Sequence, residues 1–325
     1  MRAKITGLGS YLPEKIITND DLSKTLDTSD EWISTRTGIK ERRIAHKTET
    51  TATMGFRAAQ KALAMANLTP HDLDLILVAT STPDFRLPTT AVVIQDLLGA
   101  YDTPALDIGA ACAGSIYGLS IANSFIKAGI YKNILLVTSE TMSAIINWED
   151  RNTAILFGDG ASAAILSPSS DNSGFIDFAL YADGRQQKTI WIPTGGSIRP
   201  VDAQAIIDHE DKVAMNGRET FKFAVRALCD SVEKLLKKHD LSASDIKIAV
   251  PHQANLRIIE AIAKRLDMPM DRFLVNLDRC ANTSAASLLL AYDEAVQAHR
   301  PQAHDLVLML AIGAGMVWGA GLYRV

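Results

Sequence analysis

Three polar residues stand where an apolar strand pattern gives way to a helical one, and their types suit nucleophilic chemistry. The first is Cys112, in DIGAACAGS (107–115), where a short strand ends and a helix begins at about residue 113. The start of a helix dipole lowers a thiol pKa and favours the thiolate. Backbone N–H groups among such small neighbours could hold an oxyanion. The alternative is a buried structural cysteine, since free cysteine is among the most buried residue types.

The other two residues, His252 and Asn282, lie at comparable junctions. His252 follows a strand in AVPHQAN (249–255), at the carboxyl end where ligands bind in open α/β sheets. Asn282 precedes a helix in NTSAAS (282–287), so a helix cap is its default role. Cysteine, histidine and asparagine together make a nucleophile with two hydrogen-bonding partners, as in papain-like hydrolases. The residue types alone do not separate hydrolysis from acyl transfer, and a structural histidine is the simpler interpretation of His252.

An aromatic residue and a cation near the N-terminus could together hold a nucleotide. Trp32 and Arg36 are four residues apart and can meet on one helical face, with Thr37 next in the chain. Stacking and charge there would suit a base and a phosphate, although a surface ion pair is the simpler interpretation. The glycine clusters match no nucleotide loop, because the GxGxxG pattern that begins at Gly7 fails at Leu12.

Apolar runs of strand length alternate with helical patterns along the chain, which predicts an α/β fold built from βαβ units. The first half predicts helices at 90–98 and 115–128 and strands at 73–79, 105–108, 133–138 and 161–166. The second half predicts helices at 221–238, 256–266 and 284–298 and strands at 246–250, 273–276 and 306–312. A turn-rich stretch at 167–174 separates them. We therefore expect two similar halves, 1–170 with the cysteine and 171–325 with the histidine and asparagine.

Length, charge and cysteine count narrow the function classes. The 325 residues suffice for about two domains, and a net charge of −4 excludes a generally basic nucleic-acid binder. Three scattered cysteines suit a reducing compartment, and no familiar zinc spacing occurs. The uncharged stretch 306–323 reaches the length of a membrane helix, but its four glycines favour two strands joined by a turn. With no secretory signal, we expect a cytoplasmic protein without a membrane or nucleic-acid partner.

Taken together, the motifs resemble the β-ketoacyl-acyl-carrier-protein synthase III family, condensing enzymes that start type II fatty acid synthesis. The resemblance runs from residue 5 to the end of the chain. It is carried by DEWISTRTGIKERRI (30–44), DIGAACAGSIYGLS (107–120), ILFGDGASAAIL (155–166), VPHQANLRII (250–259), NTSAAS (282–287) and IGAGMVWGAGLYRV (312–325). It implies the thiolase fold, with five αβαβα layers built from two similar halves, in agreement with the repeated strand and helix pattern.

The resemblance also implies a role for each of the three polar residues. Cys112 would take an acyl group from acyl-coenzyme A. His252 and Asn282 would promote decarboxylation of malonyl-acyl carrier protein by hydrogen-bonding its thioester oxygen as an enolate forms. The resulting carbanion would attack the acyl-cysteine and give a β-ketoacyl-carrier protein and CO2. Both half-reactions develop negative charge on a thioester oxygen, and the backbone N–H groups of Cys112 and Ala314 would hold it during acyl transfer.

Substrate contacts follow from the same resemblance. For coenzyme A and its pantetheine arm it implies Thr28, Trp32, Arg36, Thr37, Arg151, Met215, Gly217, Phe221 and Asn255. For docking of the acyl carrier protein it implies Gln253, Ala254, Asn255, Leu256 and Arg257. For the acyl pocket it implies Ile312 and, reaching across from the partner of a homodimer, Leu87. Acyl-CoA is a substrate in this family, so we expect no metal and no further cofactor.

Three departures from the family pattern bear on the primer. Many relatives carry phenylalanine where this chain has Ser115, and a bulky aromatic is common at the positions of Leu87 and Ile312. We therefore expect primers longer or more branched than acetyl. The main alternative is a related acyltransferase or condensing enzyme of secondary metabolism with a different primer or acceptor. A cysteine hydrolase comes next, and then a non-catalytic binding protein, which would lack one of the three polar residues.

Overall fold

The computed structural model describes residues 2–325, so residue 1 of the predicted N-terminal half lies outside the described residues. The strands are β1 (Ala3–Tyr11), β2 (Lys15–Thr18), β3 (Glu41–Ile44), β4 (Leu75–Ala79), β5 (Ala105–Ile108), β6 (Ile134–Glu140), β7 (Gly160–Pro168), β8 (Gly174–Ala182), β9 (Ile190–Trp191), β10 (Ala214–Met215), β11 (Ile246–Pro251), β12 (Leu306–Gly313) and β13 (Val317–Arg324). The helices are α1 (Asn19–Ser23), α2 (Asp30–Thr37), α3 (Thr51–Ala66), α4 (Thr90–Leu98), α5 (Gly114–Lys127), α6 (Arg151–Ala154), α7 (Ala203–Ile207), α8 (Gly217–Lys238), α9 (Leu256–Arg265), α10 (Leu277–Cys280) and α11 (Ser287–Gln297).

Two sheets with the same strand pattern form the frame of the molecule. The first has the order β1-β7-β6-β4-β5, and the second has the order β8-β13-β12-β11. In the first, β6, β4 and β5 are parallel and β7 is antiparallel between β6 and β1. In the second, β12 and β11 are parallel and β13 is antiparallel between β12 and β8. Beside β11, a single parallel bridge between Ala249 and Phe273 occupies the position that β5 occupies beside β4 in the first sheet. The two halves expected from the sequence therefore have the same topology.

Helices form three layers around the two sheets. Helices α3 and α4 pack on the outer face of the first sheet, α8 and α9 on the outer face of the second, and α5 and α11 between them. Strand β4 is covered by helices on both faces. Leu75 and Leu77 pack toward the central helices, while Ile76 and Val78 pack toward α3 and α4. A strand buried on both faces has a continuous apolar sequence. The expected αβαβα layering is confirmed.

The uncharged C-terminal stretch forms a hairpin at the centre of the second sheet. Strands β12 and β13 pair antiparallel from Leu306 with Arg324 to Gly313 with Val317. The prediction of two strands joined by a turn is confirmed. Among residues 2–325 no helix is long and apolar enough to span a membrane.

One predicted strand, 273–276, is wrong beyond its first residue. The side-chain amide of Gln253 donates to Leu274 O at 3.0 Å and accepts from Asn276 N at 3.1 Å, so a side chain replaces the neighbouring strand. The pattern of apolar residues does not indicate that a side chain, and not a neighbouring strand, bonds this backbone. The predictions for α4 and β5 match the observed bounds, and most of the other elements differ only at their ends.

Candidate active site

One cavity of about 1060 Å³ lies where strand ends and helix starts of the two halves meet. Cys112, His252 and Asn282 all line it, together with Ala314. Cys112 lies on a 3-10 turn (Ala111–Ala113) after β5, and His252 directly follows β11. Asn282 precedes a second 3-10 turn (Ser284–Ala286) that leads into α11. The structure thus brings together the three residues singled out at separate junctions.

The backbone around Cys112 is strained and closely packed. Ala111 has φ 44°, in the left-handed region that non-glycine residues enter at a cost of about 1–3 kcal/mol, typically at functional sites. At the end of β12, a Cβ on Gly313 would lie 2.6 Å from Cys112 N and 2.9 Å from Ala113 N. Because only glycine allows this approach, the turn that holds Ala314 can lie against the cysteine backbone. Two N–H groups from these segments could then share one oxyanion.

The Cys112 thiol is neutral in the resting protein. Burial and the nearby Glu140 carboxylate together raise its pKa to about 12, although Ser284 acts in the opposite direction. The expectation that the helix start would lower this pKa is therefore wrong for the resting thiol, since lost hydration of the thiolate outweighs the dipole. A proton has to leave the sulfur before it can attack a thioester.

His252 presents one nitrogen to the cavity and uses the other inside the protein. Its Nδ1 lies 2.6 Å from Ser287 Oγ, which also accepts the Gln253 N–H at 3.2 Å. Because the other partner of this hydroxyl is a donor, Nδ1 is the acceptor that the structure offers to the Ser287 hydroxyl hydrogen, and we assign the hydrogen there, which puts the imidazole hydrogen on Nε2. Burial lowers the pKa of His252 to about 4, so the ring is neutral near pH 7. His252 is therefore a neutral N–H donor toward the cavity.

Asn282 also presents a donor. Its Oδ1 accepts the Ser284 N–H at 2.8 Å, which fixes the orientation of the amide. The expected helix cap is wrong, because Thr283 and Ala286 occupy the cap positions of the 3-10 turn and of α11. Its backbone N–H donates to Leu156 O at 2.9 Å, which ties it to the segment before β7. The Nδ2 group is then left for the cavity. Two N–H donors beside a cysteine suit an oxygen that becomes negatively charged.

Two guanidinium groups stack on the indole of Trp32. The Arg36 guanidinium carbon is 4.4 Å from the indole centroid, and that of Arg151 on α6 is 4.5 Å from it. Arg151 also donates to Asp27 O at 2.6 Å. The predicted pairing of Trp32 with Arg36 is confirmed, and Arg151 completes an aromatic and cationic surface suited to a base and phosphates.

Comparison with known proteins places the chain in a family. Residues 106–184 match the model "3-Oxoacyl-[acyl-carrier-protein (ACP)] synthase III" and residues 236–325 match its C-terminal counterpart. A Beta-ketoacyl-[acyl-carrier-protein] synthase III of Caldanaerobacter subterraneus subsp. tengcongensis is 47% identical over 322 residues, covering 99% of this chain and 97% of the relative. One from Bacillus pumilus is 46% identical over 320 residues, covering 98% of each.

The chain belongs to the β-ketoacyl-acyl-carrier-protein synthase III family. Solved synthase III structures have the same fold. That of Aquifex aeolicus VF5 superposes with a TM-score of 0.92 at 44% identity, covering 99% of this chain and 100% of the other. That of Thermus thermophilus gives 0.91 at 42% identity, covering 99% and 98%. The expected thiolase fold is confirmed.

The substrate contacts expected of a synthase III fall into two groups here. The cavity is lined by Arg36, Thr37, Met215, Gly217, Phe221, Ala254, Asn255, Arg257 and Ile312. Thr28, Trp32, Arg151, Gln253, Leu256, Leu87 and Ser115 lie outside that lining. Leu87 is 86% exposed, and Ser115 is fully buried. The small side chain of Ser115 therefore does not widen the cavity, which corrects one of the three arguments for a broad primer range.

The side chain of Gln253 is not available to contact the acyl carrier protein. It is fully buried, and its amide bonds Pro251 O, Leu274 O and Asn276 N. Its role is to hold the backbone beneath His252, so the assignment of Gln253 to the docking surface is corrected.

The start of α9 is held against α2 by two residues that were assigned to carrier docking. Asn255 caps α9 by accepting the Arg257 N–H at 2.9 Å and donates to Arg36 O at 3.2 Å. Arg257 Nε donates to Thr35 O at 3.1 Å. The hydroxyl of Thr37, by contrast, donates to Ile33 O and accepts the Ile39 N–H, so it serves the end of α2.

Sequence reasoning missed three side chains that surround Cys112, His252 and Asn282. Ser287 orients His252, and Ser284 contacts both Cys112 and Glu140. The two serines lie within the NTSAAS motif that drew attention to Asn282. Glu140 carries one readable signal, a carboxylate at the end of the apolar run ILLVTSE (134–140). Its contact with Ser284, 144 residues away, depends on the tertiary fold.

Proposed function

We propose that this protein condenses an acyl-CoA primer with malonyl-acyl carrier protein, giving β-ketoacyl-acyl carrier protein, CoA and CO2. This is the first condensation of type II fatty acid synthesis and proceeds through an acyl-Cys112 intermediate. The observation that carries the proposal is one cavity in which a cysteine is faced by two N–H donors, from His252 and Asn282. Curated relatives named synthase III, 43–47% identical along the chain, support it.

The first half-reaction is acyl transfer to the cysteine. The Cys112 thiolate attacks the thioester carbonyl of acyl-CoA, and the backbone N–H groups of Cys112 and Ala314 stabilise the tetrahedral oxyanion. The close approach that Gly313 allows supports this pair. Collapse of the intermediate releases CoA and leaves the acyl group on sulfur.

The second half-reaction is decarboxylation followed by carbon–carbon bond formation. As CO2 leaves the malonyl group, charge develops on its thioester oxygen. His252 Nε2 and Asn282 Nδ2 donate to that oxygen, and a neutral histidine needs no change of protonation state to do so. The carbanion then attacks the acyl-Cys112 carbonyl. Dedicated N–H donors account for the charge in both half-reactions, so we propose that no metal or nicotinamide takes part.

Coenzyme A binding is proposed along one path from the surface to the cysteine. Trp32, Arg36 and Arg151 would hold the adenine and phosphates, with Thr28 and Thr37 nearby. The pantetheine arm would pass Met215, Gly217, Phe221 and Asn255, all of which line the cavity. The acyl carrier protein would dock at the start of α9, with Arg257 at the mouth and Ala254, Asn255 and Leu256 beside it. An acidic partner would suit this cation.

We further propose a cytoplasmic homodimer that joins through the β5 edge of the first sheet. Strand β5 is an edge strand whose outer side pairs with no other strand of residues 2–325, and Leu106 on it is 41% exposed. Phe85, Leu87, Leu97 and Tyr101 add exposed apolar surface from the neighbouring segments. Unpaired strand edges with apolar surroundings favour association. In such a dimer Leu87 would reach the partner's acyl pocket. Sedimentation should give twice the mass of the chain.

The division into halves 1–170 and 171–325 is proposed as a structural duplication, not as two independent domains. Each half contributes a 3-10 turn that begins with a left-handed residue and leads into a central helix. The left-handed residues are Ala111 before α5 and Ser284 before α11, with φ 44° and 49°. The cavity takes Cys112 from one half and His252 and Asn282 from the other, so we expect neither half to be active alone.

A priming enzyme of secondary metabolism is the second candidate. A priming β-ketosynthase of the R1128 polyketide pathway superposes with a TM-score of 0.90 at 33% identity. This candidate is not favoured, because relatives named synthase III reach 47% identity.

The deciding assay mixes the protein with an acyl-CoA and either malonyl-acyl carrier protein or malonyl-CoA. CO2 release with a β-ketoacyl-carrier product is expected only with the carrier-bound malonate. A series of primers then tests whether Ile312 and Leu87 admit chains longer or more branched than acetyl, and a sharp acetyl-only preference would refute that expectation. CoA release with free acid as the product would favour a hydrolase instead.

A further inference from the structure

A buried carboxylate that the reaction above does not use lies directly behind the cysteine. Glu140, the last residue of β6, is fully buried. It accepts hydrogen bonds from Ser284 Oγ at 2.9 Å, Thr82 Oγ1 at 2.7 Å and Ser81 N at 3.0 Å. Among the ion pairs of residues 2–325, none includes this carboxylate. A buried carboxylate held by so many donors and no cation calls for a function.

The position of Glu140 matches the duplication of the fold. Glu140 ends β6 as Gly313 ends β12, and Ser81 and Thr82 follow β4 as His252 follows β11. The second half contributes the oxyanion turn and the histidine to the cavity. The first half contributes the equivalent strand ends, which carry Glu140, Ser81 and Thr82. Ser81 and Ser284, which both donate to the carboxylate, also line the cavity.

Ser284 connects the carboxylate to the thiol. Its hydroxyl donates to Glu140 Oε1 at 2.9 Å, and the 3-10 turn that it begins packs against the turn that carries Cys112. Ser284 and Cys112 both line the cavity, and Ser284 acts to lower the pKa of the thiol. A hydroxyl has one hydrogen and two acceptor sites. When Glu140 is ionised, the Ser284 hydrogen points to the carboxylate, and its oxygen is free to accept the hydrogen of the thiol.

We propose that Glu140 accepts the Cys112 thiol proton through the hydroxyl of Ser284 during acyl transfer. The S–H bond breaks as a new O–H bond forms on Ser284, whose original hydrogen moves to Glu140 Oε1. The thiolate attacks the acyl-CoA carbonyl, and the C–S bond to CoA breaks. The proton returns by the reverse path to the leaving CoA sulfur, so no other reactant is needed.

The charges around the pair favour this direction of transfer. The ionised Glu140 raises the pKa of Cys112, so protonation of Glu140 removes the charge that opposes the thiolate. Burial raises the pKa of Glu140, which makes it a better proton acceptor than an ordinary carboxylate. Its other contacts are hydroxyls and backbone N–H groups of the 80–82 and 284–285 segments, so Cys112 is the titratable group it faces. His252, with a pKa of about 4, is a weaker base.

The test measures single-turnover acylation by acetyl-CoA across the pH range, and it rests on the proposed function because acylation is the step observed. Glu140→Gln and Ser284→Ala should each lower the rate at neutral pH by about 10²–10⁴-fold. Their rates should then rise about tenfold per pH unit, because hydroxide has to remove the thiol proton. Alanine suits position 284, since Ala111 adopts the same left-handed conformation in the other half. Ser115→Ala removes a buried hydroxyl without a partner in residues 2–325 and should acylate at the wild-type rate.

A second readout separates this proposal from a structural effect. Decarboxylation of malonyl-acyl carrier protein by a Cys112→Ala protein does not require the thiol, and adding Glu140→Gln should change it by less than about threefold. Equal loss of acylation and decarboxylation would make Glu140 merely structural, and an unchanged acylation pH profile in both variants would overturn the relay. If Glu140→Gln fails to fold, Ser284→Ala decides, since the carboxylate keeps its bonds to Thr82 and Ser81. If the Cys112→Ala protein releases no CO2, the proposed function fails independently of the relay.

Discussion

The Nδ1 atom of His252 lies 2.6 Å from the hydroxyl oxygen of Ser287, the first residue of the helix that follows the Asn282 turn. Through this contact the segment that carries one donor of the site also orients the other. Because the other partner of Ser287, the Gln253 N–H, is a donor, the hydroxyl hydrogen is assigned to the ring nitrogen, which leaves the Nε2 hydrogen for the substrate.

Replacing Ser287 with alanine should therefore impair decarboxylation selectively. The ring loses its orienting donor, and we expect malonyl decarboxylation to fall about 10–100-fold, less than the ~10²–10³-fold cost of deleting an oxyanion donor outright. CO2 release and single-turnover acylation, measured on the same preparation, check this. Ser115→Ala is the matched control. Equal losses in both half-reactions would show that Ser287 acts on the fold and not on His252.

The depressed pKa of His252 predicts a pH dependence of stability. The unfolded imidazole titrates near 6.5 and the folded one near 4, so the unfolded chain binds more protons between these values. The stability contributed by the buried neutral ring is complete above pH 6.5 and is lost as the pH falls toward 4. Between about pH 7 and pH 5 the loss amounts to about 2 kcal/mol.

Urea unfolding of the wild type and of His252→Gln at the two pH values measures this contribution. The glutamine variant has no ring to titrate, so its stability should fall by about 2 kcal/mol less than that of the wild type over the same interval. Parallel pH dependences of the two proteins would show that His252 titrates normally in the folded state.

Gly313 should tolerate no side chain. A Cβ there would lie 2.6 Å from Cys112 N, against backbone that cannot move without displacing the nucleophile. We expect Gly313→Ala to lower the acylation rate by at least about 100-fold, since misplacing a reacting atom by about 1 Å has that effect. Gly184→Ala, with open space around its added Cβ, should acylate normally. Wild-type acylation by Gly313→Ala would contradict the proposed oxyanion geometry.

Arg151 should matter only for substrates that carry the nucleotide part of CoA. Arg151→Ala removes one of the two guanidinium groups stacked on Trp32, worth about 0.5–2 kcal/mol. The KM for acetyl-CoA should rise about 3–30-fold while the KM for acetyl-pantetheine stays unchanged. The matched control is Arg57→Ala, because Arg57 stacks on Tyr11 away from the cavity. Equal increases for both substrates would place Arg151 elsewhere in the binding path.

The sequence predicted what depends on local pattern and on recognisable motifs. The strand and helix alternation led to the layers, and the junctions at Cys112, His252 and Asn282 led to the site. The polar partners behind these residues were missed, because Glu140 and Ser284 meet only through the packing of the two halves. The thiol pKa was misjudged for the same reason, since burial is a property of the assembled cavity and the helix start is local.

The most direct test of the account is the mass of the intact protein after mixing with acetyl-CoA, followed by addition of malonyl-acyl carrier protein. We predict a mass gain of one acetyl group on the peptide that contains Cys112, absent from Cys112→Ser. We also predict loss of that group as CO2 and a β-ketoacyl-carrier product form together. Acetylation at another residue, or condensation by Cys112→Ser at the wild-type rate, would contradict the central claim.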